Sequence, residues 1–277
     1  MSSCTLGEAL IFNLARTVTD GQLVFHGFGS PLVQLALHLA KRTHAPELVL
    51  VAGATYGINP RPPFLTPTSN DWVLDRGAES AIDIGELFDL AAAGRMGRMF
   101  LSGAQIDRHG NCNVTRLGGE RLAVKLPGGG GGANLSCDAD AISLWTAAHR
   151  SPPGKDGKRR FRLVEACDFI TNLGHRAADG RPRSALGHLG RGPDWLVTDL
   201  GVFDFDQGHL RLRALYPDVT LDEIRASTGF DFPLASPLEA MPLPDAAALA
   251  IVRSLDPLGV HLKELQPADR ARRFDLA

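Results

Sequence analysis

Long apolar runs are missing from this chain of 277 residues. No stretch approaches the ~18 residues that a membrane span needs. The first residues, MSSCTLGEALIF, lack the basic segment and unbroken apolar core of a secretory signal. An excess of one charge is missing too. Lys and Arg number 29 against 31 Asp and Glu, a formal net charge of -2, so no global field draws the chain to nucleic acid or an anionic membrane. Cysteine is sparse: Cys4, Cys112, Cys137 and Cys167 stand far apart with no C-x-x-C pair, which reads as reduced thiols in a cytoplasmic protein. The chain has no G-x-S-x-G elbow, no H-E-x-x-H and no repeat at a period of roughly 20–50 residues.

What is present is an ordinary globular balance, 44% hydrophobic and 22% charged, which supports a large core rather than a disordered tail. In the first hundred residues helix and strand signals alternate. Thr5 and Glu8 stand at capping-box spacing before Leu6, Leu10, Leu14 and Val18, which share one helical face. QLVFH reads as a strand. Ser30 and Pro31 then open a helix with Leu32, Leu35, Ala36 and Leu39 inward. ELVLVA and GRMFLSG read as buried strands, with a helix over ESAIDIGELFDLAAAG between them. Past residue 140, AISLWTAA, FRLVEACDFI, WLVTDLGVFDF and HLRLRALY read as strands. Thr220 and Glu223 repeat the capping-box spacing, and AAALAIVRSL is a final helix. The expected fold is therefore α/β, an open and largely parallel sheet flanked by helices, with additional strands in the C-terminal half. No composition break marks a linker, so residues 1–277 read as one domain with a helical extension from about 235.

Three stretches have the residue types for chemistry. In LVFHGFGSPL a strand–glycine–helix turn around Gly27 and Gly29 offers backbone N–H groups to an anion. Leu32 stands where the dinucleotide fingerprint needs its third glycine, so a tight turn with Gly29 in close packing is the simpler reading. In LSGAQIDRHGNCNVT the amides of Gln105, Asn111 and Asn113 lie close together and can hold a carbonyl by neutral hydrogen bonds. A polar turn in which Asp107 and Asn111 bond their own backbone fits the same residues. In LPGGGGGANLS the run from Gly128 to Gly132 strips five adjacent residues of side chains, at an entropic cost that points to close approach. The run ends Gly-Ala-Asn, not Gly-Lys-Ser/Thr, which disfavours ATP. Successive bare amides there form a donor surface for a phosphate or a developing oxyanion.

Taken in order, GQLVFHGFGSPL, KRTHAPELVLV, GAQIDRHGNCNVT, GGGGGAN, EACDFIT, VTDLGVFDFD, TGFDF and DPLG resemble the β subunit of class I CoA-transferases, the glutaconate CoA-transferase type most of all. The resemblance implies an α-type partner subunit, an active site at the interface with it, an acyl-CoA substrate with a carboxylic acid acceptor, and no permanently bound cofactor or metal. In such enzymes an active-site glutamate attacks the thioester and carries CoA as a glutamyl thioester. The resemblance makes Gly131 and Asn113 the oxyanion donors, with Gly27, Gly29, Gln105, Asn111, Gly130, Gly132 and Asn134 around substrate and CoA.

One position departs from that pattern. Register with APELVLV and Pro60 puts Ala52 where the family has its glutamate, and Gly53, Ala54, Thr55, Tyr56 and Gly57 include no carboxylate. The neighbouring acids in sequence are Glu47 and Asp71. Three readings follow: transfer with a nucleophile from the α subunit, hydrolysis of a CoA ester of the ring-opening type with a glutamate from that partner, or a non-catalytic acyl-CoA-binding partner.

Overall fold

The computed structural model describes residues 3–276. The chain divides into two compact units. One holds the residues up to Phe100 together with those from Pro242 onward, and the other is Leu101–Met241.

In the first unit the strand order is Arg98–Leu101, Leu23–Phe25, Val49–Val51, Gly57–Ile58, Ser80–Ala81. Leu23–Phe25 pairs in parallel with both its neighbours, and the last two strands join antiparallel. Helices Leu6–Ala15 and Pro31–Arg42 carry the apolar faces expected of them: Leu6, Leu10, Leu14, Leu32, Leu35 and Ala36 are fully buried. The Thr5–Glu8 capping box closes in both directions, at 3.0 and 2.7 Å. A third helix, Ile84–Ala92, starts later than its sequence suggested, because Asp83 and Glu86 form a second capping box and Ser80–Ala81 is drawn into the sheet.

The C-terminal segment completes this unit. Arg273–Asp275 pairs antiparallel with Ser3–Thr5. Helix Ala246–Leu255 sends Arg253 to Glu8 at 2.6 Å, and Asn13 Nδ2 donates to the Pro242 carbonyl at 3.0 Å.

In the second unit the order is Leu234–Ala240, His209–Leu215, Gly201–Asp206, Pro193–Thr198, Ala141–Thr146. The outer two strands pair in parallel, as do Pro193–Thr198 and Ala141–Thr146, and the hairpins between them are antiparallel. The alternating leucines of His209–Leu215 show the burial alternation of a strand with one face on the core. Residues 234–240 are a strand rather than the start of a helical extension. Pro233, Pro237, Pro242 and Pro244 bar a helix there, whereas the Pro233 carbonyl and the Met241 N–H both bond to the neighbouring strand.

Two shorter differences have local causes. Of FRLVEACDFI only Leu163–Val164 is strand. Beyond it the Asp168 N–H donates to Gln105 Oε1 and the Cys167 thiol to the Asn111 carbonyl, so side chains and loop carbonyls replace a ladder. Thr220 caps helix Leu221–Ser227 at 3.2 Å, but Glu223 turns away to pair with Arg150 and its capping box stays half made.

Candidate functional site

The first unit builds its candidate site where two strands end. Strand Leu23–Phe25 runs out into His26, Gly27, Phe28 and Gly29 before Ser30 caps helix Pro31–Arg42. Gly27 and Gly29 have φ of +72° and +79°, and a Cβ on either would meet open space. Left-handed backbone, not close packing, is therefore what demands glycine at position 29. Strand Val49–Val51 runs out into Ala52, which is 6% exposed. Ala52 opens a tight reversal: its N–H donates to the Gly57 carbonyl at 2.9 Å, and the Tyr56 N–H returns to the Ala52 carbonyl at 3.0 Å. Tyr56 is held at φ +60° and Asn59 at +50°, sparsely populated conformations for residues with side chains.

The two loops lock together at Gly53. Its N–H donates to His26 Nε2 at 2.9 Å, and a Cβ there would overlap the Gly27 carbonyl oxygen. Burial pushes the His26 imidazole down to about 4, which keeps it a neutral acceptor. Phe25 stacks on Tyr56, and Phe28 meets both edge-on, with centroids 6.2–6.3 Å apart. Ala52 is thus a buried methyl group in a hydrogen-bonded, aromatic-lined loop.

Carboxylates reach this region from elsewhere in the chain. Glu47 is exposed at the far end of its strand, and Asp71 caps the short helical turn Trp72–Asp75 at 3.0 Å. Asp75, which no sequence pattern singled out, accepts the Thr55 hydroxyl at 2.6 Å. Glu264, from the C-terminal segment, accepts the Leu32 N–H at 2.9 Å and the Ser30 hydroxyl at 3.3 Å. Burial pushes its carboxyl up to about 7.

The second unit joins two of the sequence motifs into one construction. Strands Gln105–Asp107 and Cys112–Asn113 form a hairpin. Asp107 Oδ1 accepts the N–H groups of His109 and Asn111, and Oδ2 accepts Asn111 Nδ2 at 2.8 Å. Asn111 also donates to the Arg176 carbonyl and accepts the Gly174 N–H, so it holds the loop as the polar-turn reading required. Asn113 is fully buried. Its two amide hydrogens go to Gln105 Oε1 at 2.8 Å and the Arg116 carbonyl at 2.6 Å, and its oxygen accepts the N–H groups of Thr115 and Arg116.

That turn in turn carries the glycine run. The Val114 carbonyl accepts the Gly128 N–H at 2.7 Å and the Thr115 carbonyl accepts the Leu126 N–H at 2.9 Å. Thr171, bonded to Thr115 and to the Val114 N–H, lies so close that a Cβ on Gly129 would sit 2.8 Å from its methyl. Gly128 and Gly130 have φ of +95° and +51°. Gly131 is the N-cap of helix Gly132–Asp138 and Gly132 donates back to the Gly129 carbonyl, whereas Asn134 is exposed in the first turn. Among the described residues the N–H groups of Gly129, Gly130 and Gly131 donate to nothing.

No protein-family model matches the chain. Among curated proteins, the B-type polypeptide of the 3-oxoadipate CoA-transferase from Pseudomonas knackmussii is 29% identical over 261 residues, covering 92% of this chain and 95% of the relative. The corresponding polypeptide of the glutaconate CoA-transferase from Acidaminococcus fermentans is 27% identical over 90% of this chain and 92% of its own. IpdB, from the cholesterol ring-cleaving hydrolase of Rhodococcus jostii, is 28% identical over 87% of this chain and 91% of its own. Of solved structures, the decarboxylase AibA/AibB matches at 31% identity with a TM-score of 0.79, covering 94% of this chain and 98% of that one. The chain belongs to the CoA-transferase family.

As a CoA-transferase family member of the B type, it has the family fold; the A. fermentans glutaconate enzyme superposes with a TM-score of 0.74 at 24% identity. Burial raises the pKa of all four thiols, Cys4 to about 11 and the others likewise upward, so none is a ready thiolate. What sequence reasoning missed are the groups that arrive from a distance: Thr55 with Asp75, Glu264 on the helix start, and Thr171 against the glycines. Each lies at least 20 residues from its partner, and no local pattern marks it.

Proposed function

We propose that this chain is the β-type subunit of a two-subunit enzyme that acts on acyl-CoA thioesters together with an α-type partner, and that its reaction is hydrolysis of the thioester. The observation that carries the reading is Ala52. A covalent glutamyl route needs a carboxylate at the end of strand Val49–Val51, and a 6% exposed methyl group stands there. Direct attack of water on the thioester is a route that needs no covalent nucleophile on this chain. The kinship with IpdB, whose name is that of a ring-cleaving hydrolase, supports the same direction.

In this reading Gly131, with Gly130 beside it, gives backbone N–H groups to the oxyanion that forms when the thioester carbonyl is attacked. Asn113 and Asn111 hold that donor loop in place, since their amide hydrogens are already committed. Gln105 fixes Asn113 and Asp168 in the same array. Gly27 and Gly29 shape the loop ahead of helix Pro31–Arg42 for the CoA arm. Coenzyme A takes part as a substrate, with no permanently bound cofactor. A second reading, transfer of CoA through a nucleophile from the α-type partner, draws support from the two CoA-transferase relatives.

The test is thiol release from the purified two-subunit complex over a panel of acyl-CoAs, with and without acetate. Free CoA is expected over many turnovers without an acceptor. Acetyl-CoA formed only when acetate is present would establish the second reading instead. No thiol release on any substrate would leave a binding role alone.

A further inference from the structure

The free amides of the glycine run belong to one tight turn in the second unit. The Gly132 N–H closes it on the Gly129 carbonyl at 2.8 Å. The N–H groups of Gly130 and Gly131 lie in the middle of that turn, without an acceptor among the described residues. Bare glycines give the turn little stiffness of its own, because no side chain restricts φ and ψ. What holds it lies outside it, at Thr171 and Asn172 of the same unit. These two residues are anchored first. Their N–H groups both donate to the Cys112 carbonyl, at 2.9 and 3.1 Å, and the Cys112 N–H returns to the Asn172 carbonyl at 2.9 Å. From that base they grip the turn on both sides. Asn172 Nδ2 donates to Ser136 Oγ at 3.2 Å, in helix Gly132–Asp138 that follows the turn. The Thr171 hydroxyl accepts the Val114 N–H at 3.0 Å and is hydrogen-bonded to the Thr115 hydroxyl at 2.7 Å. Those are the residues whose carbonyls take the Gly128 and Leu126 N–H groups ahead of the turn. The Thr171 methyl meets the turn itself, since a Cβ on Gly129 would sit 2.8 Å from it.

We propose that Thr171 is the positioning residue of the oxyanion donors. Its methyl group is a stop against Gly129, the base of the turn, and so fixes the direction in which the Gly130 and Gly131 N–H groups point. Its hydroxyl has a different task, which is to hold the Val114 and Thr115 turn from which the run departs. The inference rests on the oxyanion role given above to Gly130 and Gly131. It holds for hydrolysis and for transfer alike, because both pass through a tetrahedral oxyanion. Thr171 acts through the glycines and not on the substrate. Donors aimed at charge that develops only in the transition state act on kcat, and a displacement of about 1 Å is enough to weaken them severely.

The experiment uses the two-subunit complex and an acyl-CoA that the wild type turns over, with kcat, KM and melting temperature measured for three variants. Thr171→Ser keeps both hydrogen bonds of the hydroxyl and removes the methyl group. The expected result is a fall of about 10-fold or more in kcat with KM unchanged and little change in melting temperature. Thr171→Val gives up the hydroxyl and keeps a methyl group against Gly129. It should melt lower than Thr171→Ser, because the Val114 N–H loses its partner, and yet turn over faster. A merely structural residue would give the opposite order, with activity following stability, and that order overturns the proposal. The third variant, Gly131→Val, blocks a donor directly. Wild-type kcat in Thr171→Ser beside an inactive Gly131→Val overturns the positioning role alone. Full turnover in Gly131→Val overturns the oxyanion reading and this inference with it.

Discussion

Adjacent glycines in the run from Gly128 to Gly132 are glycines for different reasons, and the difference can be measured. Gly129 has no room for a side chain because Thr171 is in the way, whereas Gly131 has φ -77° and ψ -10°, which any residue adopts. Gly129→Val should therefore cost about 1–3 kcal/mol of overpacking and lower the melting temperature by several degrees. Gly131→Val should lower the melting temperature less than Gly129→Val, with only the weaker N-cap to cost it, and abolish thiol release, since its side chain would stand in front of the free N–H. Full activity in Gly131→Val would remove the oxyanion assignment, and equal melting temperatures would remove the distinction between the two positions. At this scale the sequence was partly legible. The run announced close approach, but Thr171 lies some forty residues away and no spacing rule reaches it. Asn111 and Asn113 were visible as a pair; that their hydrogens are already committed is a matter of geometry, not of residue type.

Elements were legible where their signals are local. Caps at Thr5 and Ser30 and the alternation in His209–Leu215 come from neighbours within four residues, and these features formed. Elements failed to follow the sequence where a distant group intervened, as when Arg150 claims Glu223 from its capping box. Helix Pro31–Arg42 shows how such a distant group alters energetics. Its start carries the expected Ser30 cap and also Glu264, whose carboxyl burial raises from 4.5 to about 7. A raised carboxyl means the folded state binds the proton more tightly than the unfolded chain does. The stabilisation is complete below about pH 4.5 and is lost as pH rises through about 7, by up to about 3 kcal/mol. In Glu264→Gln, where nothing titrates, that component is absent. Urea unfolding at about pH 5 and pH 8 should show the wild type losing more stability than the variant over this interval; parallel losses would show that Glu264 does not titrate there.

At the scale of the whole molecule, composition and pattern conveyed the class and hid the closure. The alternation of helix and strand is written in short-range periodicity, so an α/β sheet could be read directly. That the last residues return to the first unit could not, because the pairs involved are 229 to 272 residues apart: Asn13 with Pro242, Glu8 with Arg253, Ser3 with Asp275. The same distance makes a prediction. Leu249, Val252, Leu255, Val260, Leu265 and Phe274 are all at least nine-tenths buried, and burying each such side chain contributes about 1.5–3 kcal/mol. Their sum is comparable with the roughly 5–15 kcal/mol that separates a folded domain from its unfolded chain. Ending the chain after Met241 should therefore unfold the first unit rather than trim a tail. It would also remove Glu264 from the start of helix Pro31–Arg42, and from helix Leu6–Ala15 the Arg272 carbonyl that accepts the Leu6 N–H and the Arg253 that pairs with Glu8. Hydrogen exchange is the measurement. Amides of Leu23–Phe25 and Val49–Val51 should lose protection in the shortened chain, and the loop from Ala52 to Gly57 should lose its shape with them. Full protection of those strands would mean that residues 3–100 hold their fold without the returning segment.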